Sequence, residues 1–255
     1  MLARFDAMMD GVSLAHLDPL IFLRDVEEMP AEEDVETAKR ALHPGTRRTY
    51  RVRRKLSIVL TINVREYDPD KRSAVLDKIT DWMGDGGWLV LSSRPNQRLY
   101  VYPDKPPAMG SALRWTDDLT LTLTAFERPY FEARWPVTAV ITDKGTIIPT
   151  GTVPDAYVEV DAKNVGDGVL TDILFACGTT TIHLTGLEVQ PQEHVSITYT
   201  DRDLMVITAG GASALANRTA ESSDDLIAHV RQGNDISVTA DQTVSAVFRA
   251  RGRFR

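Results

Sequence analysis

Residues 56–64 read Leu-Ser-Ile-Val-Leu-Thr-Ile-Asn-Val, and residues 119–125 read Leu-Thr-Leu-Thr-Leu-Thr-Ala. In the first stretch Leu56, Ile58, Leu60, Ile62 and Val64 share one side of an extended chain. In the second, leucines take one side and threonines the other. A period of two, rich in β-branched residues, is the pattern of a strand with one face buried. Shorter stretches repeat it: 88–92, 99–102, 137–142, 157–160, 173–177, 180–184, 195–200, 204–208, 236–240 and 244–249. Turn residues such as Asp167-Gly168, Gly210-Gly211 and Gly233-Asn234 separate them. Many short strands with regular turns favour sandwiches over a βαβ fold.

One helix stands out between the strands. Asp68 can cap it, and Pro69 can be its first residue, where a missing N–H costs nothing. Val75, Ile79, Trp82 and Met83 recur at helical spacing, and Gly84 can end it. A second periodic stretch, 32–41, is bracketed by Pro30, Pro44 and Gly45, and reads as a hairpin or irregular arm rather than a helix. The expected fold is mainly β: an N-terminal β-sandwich with one covering α-helix and a hairpin or arm, followed by a second β-sandwich. All four tryptophans (Trp82, Trp88, Trp115, Trp135) precede a turn-rich stretch containing Lys144-Gly145 and residues 149–154. The expected domains are 1–135, with helix 69–83, and 155–255, joined by a linker over 136–154. Both sizes suit a 255-residue chain.

Composition removes several classes. With 43% apolar and 25% charged residues the chain is an ordinary globular protein. Its 29 bases and 36 acids give a net charge of −7, which argues against wrapping nucleic acid with the whole surface. A single cysteine, Cys177, rules out an internal disulfide and a cysteine-based zinc site. The opening residues carry Asp6 and Asp10 where a secretory signal needs an unbroken apolar core, so cytoplasmic synthesis is expected. No apolar run approaches the roughly 20 residues of a membrane span, and no membrane insertion is expected.

The layout of charge says more than its sum. Asp25, Glu27, Glu28, Glu32, Glu33, Asp34 and Glu36 form an acidic block, and Arg47, Arg48, Arg51, Arg53, Arg54 and Lys55 a basic one directly after it. The blocks can pair within one hairpin or between copies. If they meet between copies, residues 24–51 form an arm that clasps a neighbouring subunit, with Asp25, Glu27, Glu28, Glu32, Glu33, Glu36, Arg47, Arg48 and Arg51 as its contact residues; if within one chain, they form a solvated hairpin with one strand of each sign. At the C-terminus, Val244, Ala246, Phe248, Ala250, Gly252 and Phe254 alternate with Arg249, Arg251, Arg253 and Arg255. A strand with four arginines on one side can meet phosphate, carboxylates or a partner, or can protect a sheet edge by charge.

The chemistry-bearing motifs are missing or incomplete. There is no phosphate loop, no dinucleotide fingerprint, no G-x-S-x-G elbow and no H-E-x-x-H. His16, His43, His183, His194 and His229 show no i, i+4 pair, although His183 and His194, with Asp203, could meet if their strands form a hairpin. Pro154-Asp155 with Asp161-Ala-Lys163 resembles a metal-dependent nuclease signature, with a gap too short for the usual arrangement. No pair of carboxylates is singled out for glycoside hydrolysis. Cys177 lies in an apolar run with no basic neighbour and reads as a small buried side chain. No catalytic residue, cofactor or metal is expected.

The order of these features resembles the distal tail protein (Dit) family of long-tailed non-contractile bacteriophages. Phe5-Asp-Ala-Met-Met-Asp-Gly11 is similar to its short first strand and turn, His43-Pro-Gly-Thr-Arg47 to its small loop, and residues 50–64 to its first long strand. Residues 70–83, ending in Asp81-Trp82, resemble its helix; 89–95 with 99–101 its next strand pair; and Phe126-Glu-Arg-Pro-Tyr130 its domain-closing signature, one residue tighter than usual. The second half resembles the family's galectin-like sandwich in strand richness, in Ser222–Leu226 and in Gly233–Ile236, but lacks the sugar-binding residues of galectins.

The resemblance implies a structural virion protein of the tail tip, assembled in the host cytoplasm as a homo-hexameric ring. Its expected partners are the tail tube protein on one face and a tail-associated hub or fibre protein on the other, with a receptor-binding protein as a further partner. DNA would only pass through the bore. The alternatives are a carbohydrate-binding module for host polysaccharide, which the absence of tryptophan from the second half disfavours, and the nuclease.

Overall fold

The computed structural model describes residues 5–39, 46–104, 118–126, 128–200 and 204–254; within 32–39 and 46–53 it describes the backbone. The chain divides into two compact units, Met1–Phe131 and Glu132–Arg255.

The first unit contains β1 (Ala7–Met9), β2 (Val12–Ser13), α1 (Leu14–Leu17), β3 (Ile21–Glu28), β4 (Glu32–Lys39), β5 (Thr46–Val64), α2 (Pro69–Met83), β6 (Gly87–Leu91), β7 (Gln97–Pro103) and β8 (Asp118–Ala125). Its strands hydrogen-bond in the order β2-β1-β6-β7-β8-β5-β3, with β4 paired to β5. The β7–β8 link is short, spanning Tyr102↔Thr124 and Pro103↔Leu123. It joins an N-terminal half, β2-β1-β6-β7, to the β8-β5-β3 half.

The two deciding stretches lie side by side. Leu56↔Ala125, Ile58↔Leu123, Leu60↔Leu121 and Ile62↔Leu119 are directly opposite, so both apolar rows share one face. Ile58, Leu60, Ile62 and Leu123 are fully buried, joined by Leu89, Leu91, Leu99 and Val101 of β6 and β7. On the other face Ser57 and Thr124 join hydroxyls at 3.0 Å. Helix α2 begins and ends as its sequence requires. Asp68 accepts from the N–H of Asp70 at 3.0 Å and Lys71 at 3.4 Å, and Gly84 ends the helix at φ +48°. Val75, Leu76, Ile79, Trp82 and Met83 are its buried face. The Trp82 indole donates to Val12 O at 2.8 Å, tying the helix to the N-terminal hairpin.

The second unit contains β9 (Phe131–Ala133, begun at the division), β10 (Val137–Ile141), β11 (Lys144–Ile147), β12 (Asp155–Asn164), β13 (Leu170–Cys177), β14 (Thr180–Val189), β15 (His194–Tyr199), β16 (Met205–Ala209), β17 (Ala212–Ser213), β18 (Ile227–His229), β19 (Asn234–Ala240), β20 (Val244–Ala250) and β21 (Arg253–Phe254). One sheet runs β10-β20-β12-β15-β16-β17 and the other β11-β19-β13-β14. Their inward rows, including Val158, Val160, Ile197 and Phe248 from one and Ile173, Phe175, Ile182 and Val238 from the other, form one core. Phe175 and Phe248 meet across it edge to face, with centroids 6.3 Å apart.

The molecule is mainly β with one long helix, as the strand periodicity predicts. The expected linker over 136–154 differs: it carries β10 and β11, hydrogen-bonded to β20 and β19. Lys144-Gly145, a turn by local composition, is drawn into a strand by its partners Ser237 and Ile236, about 90 residues away in sequence.

Candidate functional site

The acidic and basic blocks fold against each other. β3 pairs with β5 over Ile21↔Val64 to Glu28↔Ile58, then β4 turns back on the N-terminal half of β5. The register sets Glu32 opposite Lys55, Glu33 opposite Arg53, Val35 opposite Arg51 and Glu36 opposite Tyr50. The backbone register alone thus brings the acidic strand alongside the basic one within a single hairpin. Farther out, Thr37 faces Arg48, Ala38 faces Arg47 and Lys39 faces Thr46, so this end carries bases and no acid.

Residues 46–55 pair, among the described residues, only with β4. Ten residues at about 3.3 Å each give this two-stranded ribbon a length of roughly 30 Å. The side chains of Glu32, Glu33, Glu36, Arg47, Arg48 and Arg51 lie outside the described part, as do residues 43–45 of the small loop.

At the base of the ribbon the expected contact residues separate. Asp25 and Glu27 are exposed. Glu28 is engaged at home: its carboxylate accepts from Arg94 Nε at 3.0 Å and lies 2.8 Å from an Arg94 terminal nitrogen. Arg94 also stacks over Phe131 at 4.5 Å and donates to Gln97. Arg24 pairs with Asp118 at 2.8 Å, fixing the edge strand β3 to the end of β8.

The arginine strand is not one strand. Val244, Ala246, Phe248 and Ala250 are buried and alternate as predicted, but β20 stops at Ala250 and the chain re-enters a strand only at Arg253. Gly252 breaks the run because its backbone touches another: a Cβ there would lie 1.4 Å from Thr150 O. The arginines therefore part company. Arg249 sits in register between Thr138 and Glu159. Arg251 donates to Arg134 O at 3.1 Å. Arg253 lies 4.1 Å over the Tyr157 ring, which stacks on Tyr199 at 4.4 Å. Arg255 is outside the described residues. The second unit's stacked tyrosines thus have a guanidinium over the Tyr157 face and a Tyr199 hydroxyl bonded to Leu226, and burial holds that phenol above its usual range.

The other chemical candidates dissolve. His183 is on β14 and His194 on β15, strands of different sheets, so the histidine pair does not form; Asp203 lies outside the described residues. Each histidine has its own carboxylate instead: His183 with Asp172 at 3.1 Å, His194 with Asp161 at 2.8 Å and His229 with Asp155 at 2.8 Å. Asp155 and Asp161 are six residues apart on one strand, about 20 Å, too far to hold one cation. Among the described residues no three metal-ligating side chains cluster. Cys177 is buried, and desolvation pushes its thiol up to about 11. No helix is long and apolar enough to cross a membrane among the described residues.

A feature absent from the sequence reading lies at the far end of the first unit. Met9, Val12, Leu17, Trp82 and Met83 line a groove of about 480 Å³ with Asp10, Lys78, Asp81, Gly84 and Gly86. Lys78 is tied to Asp18 at 2.9 Å, which holds the Asp18 carboxyl below its usual range. Asp77, Asp81 and Asp85 are exposed and follow each other at four-residue spacing. That spacing, at a helix end with no base in its last turn, is a signal the sequence offers.

No protein-family model matches the chain, and no curated protein matches it. Solved structures do. Phage SPP1 Dit (gp 19.1), described as a paradigm of the hub adsorption apparatus in phages infecting Gram-positive hosts, superimposes with a TM-score of 0.72 at 12% identity, covering 97% of this chain and 98% of that one. The phage P2 baseplate in its activated conformation matches with Ca at 0.54 and with Sr at 0.50, each at 6% identity over 91% of this chain and 90% of that one. The ordered strands, the capped helix and the two-sheet second unit are thus the fold of the SPP1 Dit hub protein, along almost the whole chain.

Proposed function

We propose that this chain is a structural, non-enzymatic phage tail protein: a distal tail adaptor that closes into a hexameric ring. On this reading the ring joins the tail tube to a hub or fibre protein at the tail tip, leaves a bore for DNA, and is assembled in the host cytoplasm. The observation that carries the reading is the likeness to SPP1 Dit over 97% of the chain. The β4–β5 ribbon supports it independently. An isolated two-stranded ribbon is marginally stable in water, so one of this length has reason to lie on another surface. We read it as an arm laid on the next subunit, through Asp25, Glu27 and the outer residues Arg47, Arg48 and Arg51. Contacts of this head-to-tail kind close into rings when the rotation per subunit allows.

Native mass measurement of the full chain tests the reading. Six copies of a 28.3 kDa chain give about 170 kDa. A monomer at all concentrations, both alone and with the tube and hub proteins added, would remove it.

A further inference from the structure

The second unit has a long strand edge with no strand beyond it among the described residues. In the order β11-β19-β13-β14, β14 comes last, and its ten residues, Thr180–Val189, pair on one side with β13. The N–H and C=O groups of Thr181 and His183 point to the other side. Such an edge is a template for a further chain, and proteins blunt it with charge, proline, a bulge or a cover. The first unit uses charge: its eight-residue edge strand β3 carries Arg24, Asp25, Glu27 and Glu28. β14 has no such device where it is most regular. Residues 180–187, Thr-Thr-Ile-His-Leu-Thr-Gly-Leu, hold no Lys, Arg, Asp, Glu or Pro, and their register with β13 is unbroken from Thr180 to Thr185.

What covers this edge is a run of short polar side chains. Ser223 N–H donates to Thr181 O at 2.7 Å, and Thr181 N–H donates back to the Ser223 hydroxyl at 3.0 Å. His183 N–H donates to the Ser222 hydroxyl at 2.9 Å, while His183 O accepts from Thr219 N–H at 2.9 Å. The Asn217 amide donates to Thr185 O and to Gly186 O, each at 2.9 Å. Arg218 makes the one β-bridge, to Leu184, and its guanidinium donates to Ser223 O at 2.6 Å, bracing the run from within. Two hydroxyls and an amide thus do what the backbone of a neighbouring strand would do. Because no strand is formed over 214–226, the cover presents no new ladder beyond itself.

We infer that residues 217–223 are an edge guard, occupying the side of β14 that would otherwise pair with the β14 edge of a second copy of this chain. Identical edges meet antiparallel about a two-fold axis, and that contact would merge two four-stranded sheets into one. With no Lys, Arg, Asp or Glu over 180–187, two such edges meet without charge repulsion, so the block has to be steric and hydrogen-bonded. The guard does not rest on the ring reading: a monomer and a ring alike must avoid this contact.

Asn217→Ala, Ser222→Ala and Ser223→Ala together, in the full chain, remove the three side chains and leave the backbone in place. Hydrogen exchange, read residue by residue, should speed up roughly tenfold at the Thr181 and His183 amides. The Ile182 and Leu184 amides, on the β13 side, should stay protected. Sedimentation velocity at matched concentration should find the variant in species of about twice the wild-type mass or more. Adding Thr181→Pro deletes an N–H that points to the edge, not to β13, and should restore the wild-type profile. Ser223→Ala alone should show both effects in smaller measure, which keeps the test decisive if the triple change unfolds the unit. Wild-type exchange in the variants, wild-type sedimentation with the edge amides exposed, or heavier species that survive Thr181→Pro would each overturn the guard and leave the ring. A wild-type chain that stays monomeric with its tail partners would overturn the ring and leave the guard.

Discussion

Replacing Trp82 separates two ways in which α2 is held to the N-terminal hairpin. The side chain is 9% exposed, and its indole N–H lies 2.8 Å from Val12 O. Trp82→Phe keeps most of the ring but leaves the Val12 carbonyl without its donor, a cost of about 1–2 kcal/mol. Trp82→Ala also removes the ring and enlarges the groove, and large-to-small aromatic changes cost about 3–5 kcal/mol. Four tryptophans and two units make fluorescence and global melting poor readouts. Hydrogen exchange of peptides covering 69–83 and 12–17 reads the local effect. Protection should fall roughly tenfold in the Phe variant and roughly 10²–10³-fold in the Ala variant, with peptides of β13 and β19 unchanged. Equal losses in the two variants would mean that the hydrogen bond, not packing, anchors the helix. A loss below tenfold in Trp82→Ala would refute the anchoring altogether.

Asp68→Ala removes the helix cap and should cost about 1 kcal/mol, seen as faster exchange in the first turn of α2. Gly252→Ala sets a methyl against Thr150 O, where only 1.4 Å is available; the second unit should lose at least about 2 kcal/mol in denaturant titration. Asp18, through its bond to Lys78, and Asp241, through the Thr171 hydroxyl, have carboxyls held below their usual value. Each contributes stability that is present above the unfolded carboxylate pKa and fades as pH falls through the lower folded value. Lys78→Met and Thr171→Val should therefore flatten the acid limb of stability against pH. Cys177, with its thiol raised to about 11, should ignore an aromatic disulfide reagent at pH 8 until the second unit unfolds.

What sequence could reveal follows from range. Leu56–Val64 and Leu119–Ala125 were readable because half-burial writes itself into every second residue, and α2 because Asp68, Pro69 and Gly84 act within one turn. The C-terminal arginines misled because alternation continues through Gly252, while the contact that ends β20 comes from Thr150, about 100 residues away. The linker reading failed at Lys144-Gly145 for the same reason: β19 supplies the partner. His183 and His194 are close in sequence, yet β14 and β15 join different sheets. Glu28 looked like its acidic neighbours until the fold brought Arg94 to it. The acids near the end of α2 are legible as a conflict with the helix dipole, although nothing local says that a groove lies beside Asp81.

A distal-tail ring has a defined place in the phage particle, and electron microscopy of phage tails labelled with antibody against this chain locates it. Label is expected only at the distal tip of the tail, on a ring whose end-on averages show six-fold symmetry and a central opening. Label along the tube, on the capsid, or on no particle at all would contradict it.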